Sequence, residues 1–120
     1  MKQLAFFLAI CCWCGTALGQ TVIKPEDAAK HVGEKVSVCG KIYGGRFFEN
    51  GKNQPTLLNM GDKFPNNPLT VVIYGELRAK LGYKPEEKFL DKELCVIGTV
   101  TLYKEKPQIV IEEATQIQSQ

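Results

Sequence analysis

Residues 94–111 read LCVIGTVTLYKEKPQIVI. The first ten alternate apolar with polar positions, KEKP supplies a turn and QIVI resumes the alternation, so the stretch predicts two strands closed into a tight hairpin. Its first arm repeats an earlier segment. Leu94, Val96, Gly98 and Val100 follow the spacing of Val36, Val38, Gly40 and Ile42 in KVSVCGKIY, and each segment carries a glycine in mid-strand. A glycine there gives up side-chain packing, which points to a bulge, a sharp bend or the close approach of another part of the chain. Sharply bent strands are what a small closed barrel demands.

The 120 residues suit one domain. Met1-Lys2-Gln3 makes a short positive start, Leu4 to Trp13 an apolar run, and Ala17-Leu18-Gly19 offers small residues where a signal peptidase cuts. Cleavage between Gly19 and Gln20 is expected, giving a signal peptide 1–19, an N-terminal segment 20–34, a domain 35–117 and a tail 118–120. The apolar run is short for a spanning helix, so no stable membrane anchor is expected after cleavage. Lipid modification is disfavoured, because Ile10, Cys11 and Trp13 stand before Cys11, Cys12 and Cys14 where a small residue is wanted. The expected location is the periplasm or the extracellular medium.

Loss of Lys2 would leave 14 basic side chains against 13 acidic ones, a near-neutral chain. That balance excludes tight non-specific attachment to polyanions at physiological salt. Export would also remove three cysteines and the single tryptophan, Trp13, leaving Cys39 and Cys95 in an oxidising compartment.

Thr21 to Gly33 reads as a short helix: Pro25 suits its first position, Glu26 and Asp27 its positive end, and Gly33 the left-handed turn after it. The lone His31 near its end reads as a surface histidine. Lys35 to Tyr43 is the first expected strand, followed by a loop from Gly44 to Asn53. Pro55 to Met60 is a second strand, Leu69 to Tyr74 a β-branched third, Glu76 to Leu81 a helix ended by Gly82, and Pro85 to Leu90 a further turn of helix. The fold class is therefore mainly β. Three strands, a helical connection and two strands match the five-stranded Greek-key OB-fold, with a short N-terminal helix and a helix between strands three and four. Other small barrels and a ferredoxin-like arrangement compete, although the latter needs its helices placed differently.

Three phrases, VCGKI, LNMGDKFPNNPLTVVIYGE and GTVTLYKEKPQIVI, carry a resemblance that runs from about Pro25 to Ile117. The chain resembles small exported bacterial OB-fold domains related to the tRNA-anticodon-type nucleic-acid-binding family. The resemblance implies the fold and a binding role, and it brings no catalytic residues with it.

OB-folds that take single strands use the outer face of strands two and three, flanked by the loops between strands one and two and between strands four and five. Bases stack on aromatics there while lysine and arginine follow the phosphates. The first loop would present Arg46, Phe47, Phe48 and Lys52, the second Tyr103, Lys104, Lys106 and Gln108, with Tyr43 and Tyr74 at strand ends. The competing reading packs both phenylalanines under their own loop and leaves the lysines as solvated charges. The expected partner is single-stranded nucleic acid or a similar extended polyanion. The alternative is a protein-interaction or envelope-structural module that docks a partner through the same surfaces.

Cys39 and Cys95 fall on the first and fourth strands, neighbours in an OB closure, and both point away from the Val36/Val38 and Leu94/Val96 faces. A disulfide across that seam is expected, with two free thiols as the alternative. Two cysteines and one distant histidine do not make a metal site, and no Cys-x-x-Cys pair survives cleavage. No cofactor is expected. Glu112-Glu113 are adjacent on a strand and point to opposite faces, and Gly40 to Gly45 lacks the lysine and hydroxyl of a phosphate loop. The chain is therefore expected not to be an enzyme.

Overall fold

The computed structural model describes residues 21–119; the expected signal peptide and its cleavage point lie outside them. In chain order the elements are β1 (Val22–Ile23), a 3-10 helix (Pro25–His31), β2 (Lys35–Phe47), β3 (Thr56–Met60), β4 (Leu69–Ile73), α1 (Gly75–Leu81), α2 (Pro85–Lys88), β5 (Glu93–Tyr103), β6 (Lys106–Ile111), a 3-10 turn (Ala114–Gln116) and β7 (Ile117–Ser119). Strands β2, β3 and β4 form an antiparallel meander, β4 pairs parallel with β6, β6 antiparallel with β5, and β5 returns to β2. The ring closes in the order β2-β3-β4-β6-β5. This is an OB-fold.

Period-two alternation supplies the core. Val36, Val38 and Ile42 of β2, Leu58 and Met60 of β3, Leu69, Val71 and Ile73 of β4, Leu94, Val96 and Val100 of β5, and Ile109 and Ile111 of β6 all turn inward and are buried. The two mid-strand glycines mark close approach. A Cβ at Gly40 would stand 2.5 Å from Pro25 Cγ, and one at Gly98 would stand 2.6 Å from Ile109 Cγ2. No methyl group fits at either position unless its neighbour shifts, so the repeat seen in the sequence is a packing requirement, met at Gly40 by Pro25 and at Gly98 by Ile109.

The ends of the barrel are closed by different devices. At one end the 3-10 helix lays Pro25 against Gly40 and Gly61 and buries Ala28. Residues 22–23, expected to be helical, instead pair with β2 as β1, and Ser37 N–H donates to Thr21 O at 2.8 Å. Pro25 takes the first turn and Gly33 the left-handed conformation, φ 89°, as expected. His31 ends this helix, half-exposed, with Nδ1 2.9 Å from Glu34 Oε1. At the other end α1 and α2 bring Leu77 and Phe89 onto the core, and Tyr83 meets Phe89 edge to face at 5.6 Å.

β2 runs four residues past its expected end at Tyr43. The Gly44-Gly45 pair, which reads as loop in the sequence, instead pairs with Asn59 and Leu58 after a bulge at Tyr43. A side chain at Gly45 would meet Leu57 O at 2.7 Å and Leu58 Cδ2 at 2.8 Å, so here glycine permits strand pairing rather than ending it. The connection from β2 to β3 is consequently residues 48–55. At the far end of the chain Leu94 to Val96 of β5 pair with β7, so residues 118 and 119 lie within the sheet.

Cys39 and Cys95 face each other in the β2–β5 register and are joined by a disulfide. Matched pairs flank them on both sides, four from Lys35↔Thr99 to Val38↔Val96 and two from Gly40↔Leu94 to Lys41↔Glu93.

Candidate ligand-binding face

Residues directly opposite in neighbouring strands project to the same side, so the registers define what the barrel shows outward. Arg46, Leu57, Val72 and Val110 form one row across β2, β3, β4 and β6. Gly44, Asn59, Thr70, Gln108 and Thr101 form the next, and the pair Tyr103↔Lys106 lies one pleat beyond on the β5–β6 hairpin. Successive rows are two residues apart, about 7 Å, so the face runs roughly 14 Å along the strands from Arg46 to Lys106. Its apolar row is largely closed to solvent: Val72, outside the core cluster, is 2% exposed, and Leu57 and Val110 beside it are half-buried.

Cations sit over aromatics along the border. Arg46 lies 4.9 Å from the ring centre of Phe48, Lys41 4.9 Å from that of Tyr43, and Lys104 5.4 Å from that of Tyr103. Each pair presents a π-surface beside a positive charge. Lys52 is exposed in the β2–β3 connection, and Tyr74, 38% exposed, follows Val72 by two residues at the start of α1. A hydrogen bond from Gly75 N–H to Asn53 O, 2.8 Å, fastens that connection to the end of β4. Lys106 Nζ reaches Pro65 O at 3.5 Å and ties the β5–β6 hairpin to the connection between β3 and β4.

Phe47 stands apart from this set. It pairs with Thr56 and faces the barrel end, where the Arg78 guanidinium covers its ring at 3.7 Å. The same guanidinium donates to Thr56 Oγ1 at 2.9 Å and to both carboxylate oxygens of Glu86, at 2.7 and 3.2 Å. These hydrogen bonds hold the Glu86 carboxyl below its ordinary range against the opposing effect of burial. Phe47 therefore takes the packed role that the sequence left open, for a plain reason: consecutive strand residues alternate sides, and Arg46 and Phe48 already occupy the outer one.

The sequence reading missed three parts of this region. Arg78 and Glu86 give no local signal, because they meet only through the turn between α1 and α2. Leu57, Asn59 and Thr70 become surface neighbours only through the register. Phe64, 73% exposed between Lys63 and Pro65, did carry a signal: an aromatic placed within turn-forming residues.

No protein-family model matches the chain, and no curated protein does. Among solved structures, the fold is similar to a Leishmania major Friedlin protein assigned as an aspartyl-tRNA synthetase, with a TM-score of 0.56 and 11% identity. The match covers 88% of this chain and 22% of that one, so the chain spans about a fifth of its neighbour's length.

Proposed function

We propose that this chain is an exported, non-catalytic protein that binds single-stranded nucleic acid across the outer face of β3 and β4. One observation carries the reading: three cation–aromatic pairs border a face with an apolar and a polar row. Stacking on Phe48, Tyr43 and Tyr103 tolerates any base, while Arg46, Lys41, Lys52, Lys104 and Lys106 stand where phosphates would pass. Asn59, Thr70 and Gln108 offer hydrogen bonds between them. The fold neighbour's name, that of a tRNA synthetase, supports an RNA or DNA ligand over an apolar one.

The test is fluorescence anisotropy of labelled single-stranded DNA and RNA at low and at physiological salt. Saturable binding that weakens steeply with salt is expected. Absence of binding at low salt would refute the proposal, and a salt-insensitive protein partner would favour the interaction-module alternative.

A further inference from the structure

Among the described residues, three strongly exposed large apolar side chains, Phe64 at 73%, Tyr103 at 61% and Leu102 at 51%, lie at the same barrel end. Leu102 and Tyr103 reach it on the β5–β6 hairpin, and Phe64 on the β3–β4 connection. The Lys106–Pro65 hydrogen bond shows that the connections touch.

Phe64 is not on a loose loop. Asn66 N–H closes a turn onto Lys63 O at 2.8 Å, with Phe64 at its corner, and Lys63 N–H donates to Asp62 Oδ1 at 2.7 Å. Asn67 Nδ2 donates to Leu69 O and Thr70 Oγ1, binding the turn to the first residues of β4. An aromatic side chain bare to solvent on a hydrogen-bonded turn contributes nothing to the core, and its backbone is already ordered for a partner. Lys63 precedes Phe64 in the chain, Lys106 Nζ reaches the carbonyl of Pro65 that follows it, and Asp62 accepts from the Lys63 N–H.

We infer that the single-strand site continues beyond the hairpin onto the β3–β4 connection, where Phe64 stacks a base next in line after the one on Tyr103. The inference rests on the nucleic-acid reading and adds to it a binding residue and a direction. The strand passes from Arg46 and Phe48, over Asn59, Thr70 and Gln108, to Tyr103 and then Phe64. The spread of cations favours an anionic strand over an apolar peptide at this end.

The experiment measures the affinity of the full-length protein for labelled oligothymidylate of about 12 nucleotides, within the range one OB-fold covers. Phe64→Ala is expected to weaken binding about 5- to 100-fold, the range of one lost stacked base. Phe64→Leu, which keeps an apolar side chain without a π-face, is expected to weaken it similarly. Phe64→Trp should retain affinity and lose indole fluorescence on binding. Because the side chain is exposed, none of these changes threatens folding. Wild-type affinity in Phe64→Ala, with losses in Arg46→Ala and Tyr103→Ala, would overturn the inference and leave the nucleic-acid reading standing. Full binding by Phe64→Leu would also overturn it by showing that the contact is merely apolar. No binding by the unaltered protein would overturn both.

Discussion

Removing the Cys39–Cys95 cross-link tests whether the barrel seam is held by its sequence or by its sulfurs. The two cysteines are 56 residues apart, and β3, β4, α1 and α2 lie between them. Tying off a loop of that length lowers the entropy of the unfolded chain by an amount equivalent to about 4 kcal/mol at room temperature. The folded state should change little when the bond is lost, since four register pairs on one side and two on the other hold β2 to β5 without it. The double variant Cys39→Ala/Cys95→Ala is therefore expected to fold to the same barrel and to unfold with about 4 kcal/mol less stability in urea. Its denaturant slope should be steeper, because the uncrosslinked unfolded chain exposes more surface. For a domain of this size the melting temperature should fall by roughly 15 to 30 °C. A loss below about 1 kcal/mol, with an unchanged slope, would show that the unfolded chain is not restrained by the bond and would refute the reasoning.

Three other perturbations separate the roles assigned above. Arg78→Ala should cost about 3 kcal/mol in chemical denaturation, since it leaves Glu86 half-enclosed without its partner and uncovers Phe47; a loss near zero would show that the Arg78–Glu86 pair does not hold α1 to α2. Glu86 has a folded-state pKa below its unfolded value, so its contribution is complete above the ordinary glutamate range and disappears as pH falls through the folded value. Melting temperatures scanned from neutral to acid pH should drop more in the unaltered protein than in Glu86→Gln, and parallel curves would contradict this. Phe47→Ala should lower stability by about 2 kcal/mol, whereas Phe48→Ala should leave stability nearly intact and weaken oligonucleotide binding by about 1 to 3 kcal/mol. An exchange of those two phenotypes would mean that the faces of β2 have been assigned the wrong way round. At the hairpin tip Lys104 and Glu105 both hold positive φ, 51° and 68°, a pair of conformations that Asn-Gly adopts more easily. Glu105→Gly should raise stability by about 0.5 to 1 kcal/mol, and a loss of stability would argue against that turn.

The strands were legible because each buries one face, so alternation in the sequence maps directly onto inside and outside. Cys39 and Cys95 could be placed on one side of the sheet from parity alone. The structure adds that they are direct partners, which depends on the β2–β5 register and not on either strand by itself. Gly44 and Gly45 misled the reading of β2. Glycine ends strands in most local contexts, and only the crowding by Leu57 and Leu58 across the sheet shows why it continues one here. The sequence predicts one helix from Thr21 to Gly33 where the structure has seven residues of 3-10 helix, since Pro25, the acids after it and Gly33 are signals shared by both kinds of helix. Phe47 and Phe48 look alike in sequence, yet one is covered by an arginine 31 positions later and the other by an arginine two positions earlier. Such distinctions arise from contacts that no local pattern encodes.

Both seams of the barrel depend on the last third of the domain. β4 has no partner on its outer edge until β6 arrives, and β2 has none along its first half, apart from two-residue β1, until β5 does. A chain growing from its N-terminus therefore passes through a stage in which β2, β3 and β4 can pair with one another while an apolar face and two edges stay open. Nothing local completes that meander. Formation of the barrel must wait for residues 93–111, and the step that joins them is a single long-range event rather than a gradual zipping. Folding should accordingly be slow for a chain of this length and cooperative, and a chain truncated before β6 should aggregate rather than persist as a smaller folded unit.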